Sequence, residues 1–146
     1  MAGLALLATV WLGAVGCQSF GTAPGDLASV TITNRPLAEV QAAVTKVFAA
    51  HVFAGGSTGP DQFTFHRIGT GTDQVAYGSH LFQRPITVKV VVTTRTQSPE
   101  VVVVGCNAWV IEAENDPTFQ EIHPVRTLGK RPYEDMLKEI QSQLSQ

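Results

Sequence analysis

The chain has 146 residues, with 12 acidic and 10 basic side chains and a formal net charge of −2. That is enough for one ordinary domain and too little for two. An apolar fraction of 44% with 15% charged residues is globular rather than disordered, and the near-neutral balance argues against the basic face that nucleic-acid binding requires.

Met1 to Gly16 reads MAGLALLATVWLGAVG and carries no charge; the first charged side chain is Asp26. An apolar run this short falls below the roughly 20 residues that cross a hydrocarbon core. It fits the apolar region of a secretory signal. It ends in Ala14-Val15-Gly16-Cys17. Small residues ahead of a cysteine, directly after an apolar run, resemble the lipobox of bacterial lipoproteins. The resemblance covers residues 1–17. It implies cleavage after Gly16, diacylation of the Cys17 thiol and acylation of the new amino group. Two departures stand: Ala14 where Leu is usual, and no Lys or Arg ahead of the apolar run. A plain cleaved signal and an apolar helix packed in the fold are the alternatives. Gln18 occupies the position where the inner-membrane retention signal of enteric bacteria has Asp. The resemblance therefore implies a lipid anchor in the outer membrane, facing the periplasm. Two or three acyl chains anchor stably, at ~0.8 kcal/mol per CH₂. Residues 17–28, with QSFGTAPGD at 18–26, read as the lipidated cysteine and a flexible tether. Residues 29–146 read as a single α+β domain.

Ser29 to Thr33 alternates and reads as a short strand. Asn34 is placed to cap a helix and Pro36 to occupy its first turn. Leu37, Val40, Val44, Val47 and Phe48 then form one apolar helical stripe, so a helix is predicted from Arg35 to about Ala50. His51 extends the stripe and reads as a core or helix-end histidine. Gly55–Pro60 breaks the chain. Phe63 to Ile68 alternates as a strand, residues 69–72 turn, and residues 73–77 are expected to return antiparallel.

Residues 85–95 and 100–112 are two β-branched runs around a polar turn, a strong hairpin signal. Pairing Arg95 with Val101 sets Val92 opposite Val104, Val90 opposite Cys106, Val88 opposite Ala108 and Ile86 opposite Val110. These share one almost wholly apolar face with Thr94 and Val102. The other face mixes Thr87, Lys89, Thr93, Arg95 and Asn107 with Val91, Val103, Trp109 and Ile111. A one-residue slip would bury the charges. Pro124 keeps residues 119–130 out of a helix or central strand, leaving an extended segment along an edge. Pro132 marks a helix start, with Glu134 and Asp135 in its first turn. Tyr133, Leu137, Ile140 and Leu144 give this last helix its stripe, with Met136 alongside. The expected order is β-α-β-β-β-β-α, an antiparallel sheet with two helices on one face. That order is similar to the helix-grip modules of some envelope lipoproteins, over residues 29–144. The resemblance is one of element order, and fold alone does not carry function.

Chemistry is hard to find. There is no Gly-x-Ser-x-Gly elbow to support Ser79-His80, and residues 69–72 lack the lysine and helix of a phosphate loop. His51, His66, His80 and His123 lack the spacing that marks zinc, so no metal or other cofactor is expected. Cys106 falls on the apolar face as a structural thiol, and a Cys17–Cys106 disulfide is the less favoured reading. Two features rise above this. Thr70, Thr72, Asp73, Gln74, Tyr77 and His80 gather in one loop-rich stretch, a candidate binding loop; a self-capping turn is the plainer reading. Val91, Val103, Trp109 and Ile111 make the half-apolar outer face a candidate docking surface, unless residues 119–128 cover it. The expectation is a non-enzymatic, lipid-anchored envelope module that contacts the membrane through its lipid. It binds an envelope protein or assists assembly. The alternative is a carrier of an apolar ligand held between sheet and helices.

Overall fold

The computed structural model describes residues 25–78 and 84–146. Cys17, the expected signal segment and His80 lie outside these residues. The protein is an α+β domain: an antiparallel sheet of six strands with three helices. The strands are β1 (Ala28–Thr33), β2 (Ala54–Gly59), β3 (Gln62–Ile68), β4 (Ile86–Ser98), β5 (Val101–Glu112) and β6 (Glu121–Pro124). The helices are α1 (Leu37–Ala50), α2 (Gly71–Tyr77) and α3 (Arg131–Leu144). The sheet runs β1-β5-β4-β3-β2, and β6 pairs with the part of β5 that β1 leaves open.

The hairpin of β4 and β5 is the centre of the sheet. Its register sets Ile86 opposite Glu112, Val88 opposite Val110, Val90 opposite Ala108 and Val92 opposite Cys106. This is two residues from the expected pairing. A shift of two keeps every side chain on its face, because strand alternation has a period of two. Both strands run closer to the turn than expected, and the odd residue is absorbed by an irregularity between Thr96 and Ser98.

Val88, Val90, Val92, Val104, Cys106, Ala108 and Val110 are buried, and Phe63 and Phe65 continue the same face onto β3. The buried sides of α1 (Val40, Ala43, Val44, Val47, Phe48) and of α3 (Tyr133, Met136, Leu137, Ile140) join the same core. Phe48 stacks on Phe65 with ring centroids 4.6 Å apart. Each such large side chain contributes about 1.5–3 kcal/mol by leaving water. Two polar residues lie on this face. Thr94 is satisfied by Asp61 and Gln41, and Glu112 ends the row.

The order of elements departs from the sequence reading in three places. Residues 54–59 are an edge strand rather than a break. Gly55 makes this feasible with φ +140°, where an added Cβ would strike the backbone of Thr64 and Phe65. Residues 73–77 are helical, not a returning strand. β3, the strand they were expected to pair with, already has β2 on one side and β4 on the other, so no edge is left for them. Residues 121–124, expected as part of an extended segment along an edge, do lie at an edge and add a strand to the count by pairing with β5.

Asn34 is not the cap of α1. It takes φ +57° at the strand-to-helix turn, and Pro36 takes the cap position without a side-chain bond. At the other end of α1, Phe53 N–H bonds to Phe48 O at 3.0 Å and Val52 N–H to Ala49 O at 3.1 Å. That is a Schellman ending with Val52, at φ +64°, in the position that favours glycine.

At the start of the domain, Leu27 N–H bonds to Cys106 O at 2.9 Å and to Asn107 Oδ1 at 3.0 Å. Asp26 pairs with Arg95 across Gly105. Residues 26–28, placed in the tether by the sequence, are thus fastened to β5.

Candidate binding site

A cleft lies where α1 ends, α3 begins and α2 closes over the end of the sheet. Its volume is about 610 Å³. Phe53, Val110, Val125, Leu128 and Met136 give it apolar walls, and Arg67, Thr72, Asp73, Tyr77, Tyr133 and Asp135 supply polar groups.

α2 exists because Thr70 and Asp73 form a capping box. The Thr70 hydroxyl accepts from Asp73 N–H at 3.4 Å, and Asp73 Oδ2 accepts from Thr70 N–H at 2.7 Å. The helix has no fully buried residue of its own. It is held by Arg67, whose Nη1 lies 2.9 Å from Asp73 Oδ2 and whose Nη2 lies 3.4 Å from Oδ1. The Arg67 guanidinium also sits 5.3 Å from the ring centre of Phe53. Burial works to raise the Asp73 pKa, but hydrogen bonds from Arg67 and Thr70 outweigh it and hold the carboxyl below its usual value. An acceptor engaged by these donors is a brace, not a proton acceptor in waiting.

Tyr133 lies at the base of the cleft. Burial pushes its phenol up to about 12, so it keeps its proton at neutral pH. Tyr77 passes close to Gly129, where an added Cβ would meet its hydroxyl at 2.9 Å. His51 caps the end of α1, with Nε2 2.8 Å from Glu139 Oε2.

Of the expected binding loop, Thr72, Asp73 and Tyr77 line this cleft; Thr70 builds the helix, and Gln74 stands one turn above Gly78 and accepts its N–H at 2.9 Å. The docking face divides. Val103 and Ile111 are buried, whereas Val91 and Trp109 are partly exposed. β6 extends the sheet edge in the plane of β5 rather than crossing this face.

Sequence reasoning missed the apolar rim. Among the described residues the exposed large apolar side chains are Val52, Ile68, Val75, Phe119, Ile122 and Leu128. Leu128 lines the cleft, and Val52 and Ile68 line a neighbouring hollow that shares His51 and Arg67 with it. Ile68, Thr87, Ile111 and Ile122 form one row across the outer face there. Each residue looked unremarkable in its own segment, and only the pairing of β3, β4, β5 and β6 brings them together. No protein-family model matches the chain, and no curated protein matches it.

Proposed function

We propose that the chain is a non-enzymatic, lipid-anchored module of the cell envelope that binds a protein partner through its apolar end. The anchor reading rests on the resemblance of Ala14–Cys17 to a lipobox, and on Gln18 for the outer membrane. The binding reading rests on one observation: exposed Leu128 lies on the cleft itself, and exposed Val52 and Ile68 line an adjoining hollow that shares His51 and Arg67 with it. An apolar side chain of the partner inserts between Phe53, Val110, Val125 and Met136, as a buried anchor does in other interfaces. Two measurements test this. Cys17→Ser should abolish acyl labelling and release the protein from membranes. A photo-crosslinking residue at Leu128 should capture a stoichiometric membrane partner, and the same residue at Gln143, near the end of α3, should not. Equal capture from both positions, or none from Leu128, refutes it.

The second reading, a carrier of an apolar ligand, is favoured by the cleft itself. Its volume of about 610 Å³ falls within the roughly 300–1,000 Å³ typical of small-molecule sites. Native mass spectrometry of protein from its own membranes separates the two: a co-purified lipid-sized mass, lost in Ala76→Trp, supports the carrier.

A further inference from the structure

The geometry points to a divalent transition-metal site on the β5–β6 edge, formed by Glu112, Glu121 and His123. One ligand atom from each lies within 4.8 Å of the others. The strands place them. Glu121 pairs with Glu112 and His123 with Val110, so all three project from the same face of the sheet. Glu112 is 2% exposed.

A second, independent observation selects a metal. His123 Nε2 has no exposed surface and no hydrogen-bond partner. The 40% exposure of the side chain therefore comes from the rest of the ring, and Nε2 lies 3.3 Å from Glu121 Oε2. An imidazole nitrogen turned out of water toward carboxylates is arranged as a ligand is. Imidazole with carboxylate oxygen suits zinc and its first-row neighbours.

A common centre at ~2.1 Å from each donor needs donors no more than about 4.2 Å apart. The three donor atoms, within 4.8 Å of one another, must draw together slightly when the ion binds. Three protein ligands leave a coordination position for water or an anionic group. The bound ion also staples the short β6 to β5. Glu121-x-His123 is a chelating spacing for a strand, with alternate residues on one face. The search for zinc in the sequence looked for helical and Cys-x-x-Cys spacings instead.

Isothermal titration of the chelator-treated full chain with Zn²⁺ tests the site. The expected result is one saturable equivalent and a raised melting temperature. His123→Ala and Glu121→Gln should each weaken binding by at least about tenfold, with circular dichroism unchanged because both side chains are partly exposed. Co²⁺ in place of Zn²⁺ should show visible absorption that His123→Ala removes. Absence of saturable uptake overturns the site. So does uptake that survives His123→Ala, which would place the ion on Cys17 or on His51 with Glu139.

Discussion

Replacing Gly105 by Ala tests how the start of the domain is locked to the sheet. Gly105 lies on the outer face of β5, opposite Thr93 on β4 and Ser29 on β1. A methyl group there would overlap the Asp26 carboxylate and approach Arg95 Nη2 to 2.9 Å. The carboxylate must leave. The Asp26 side chain is 7% exposed, so a partly desolvated, charge-assisted pair is lost, at about 1.5–3 kcal/mol. Arg95 is 41% exposed, which places the loss at the lower end. The reduced entropy of an unfolded chain with Ala for Gly returns about 0.4–1 kcal/mol. The net cost is about 1 kcal/mol, or about 2–4 °C in melting temperature. Urea unfolding measures it. In an Asp26→Ala background no carboxylate remains to evict, and Gly105→Ala should become neutral or stabilise by up to about 1 kcal/mol. An equal loss in both backgrounds refutes the lock and puts the conflict in the backbone of β5.

Val52 is 82% exposed at φ +64°, a conformation costing a β-branched residue about 1–2 kcal/mol. Val52→Gly should stabilise the protein by about 0.5 kcal/mol after the unfolded-chain entropy of glycine is counted; a loss of stability in denaturant melts would show that the side chain packs. Asp73 has its folded pKa below 3.8, so its contribution is full above about pH 4 and is lost as pH falls through the folded value. Asp73→Asn should therefore lose less stability than the wild type between about pH 4 and pH 2; parallel acid limbs would contradict the Arg67 brace. The Cys106 thiol is 1% exposed, and burial pushes its pKa to about 12. A thiol reagent at neutral pH should modify it only at the rate of unfolding, and rapid labelling of the native protein would show that the sheet face is open.

The elements that were legible in the sequence are those whose pattern is their own. The α1 stripe from Leu37 to Phe48, the α3 stripe from Tyr133 to Leu144 and the β-branched runs of β4 and β5 each declare a period. The face assignment survived even a two-residue error in register, since parity rather than pairing decides burial. What was illegible depends on partners. Gly55 to Gly59 has poor strand propensity and is a strand only because β3 lies beside it. Residues 70–73 carried a usable signal, a Thr-x-x-Asp capping box, but the alternation of the following residues was read as a strand. Of the candidate site, Thr72, Asp73 and Tyr77 were found as a polar cluster. The cleft was not, because its walls come from Phe53, Val110, Val125 and Met136, four segments far apart in the chain.

β5 is edged by two separate strands laid end to end, β1 along Val101 to Cys106 and β6 along Trp109 to Glu112. The most adhesive strand of the molecule thus has no length of unpaired backbone to offer a neighbour, since Leu27 and Val125 bond to Cys106 and Ala108 at the joint. Among the described residues, β2 is the flank at the other end of the sheet, and three of its six positions are glycine. A visiting strand would find donors and acceptors there but almost no side chains to grip. Where copies of the protein meet at high concentration, such a flank keeps encounters brief.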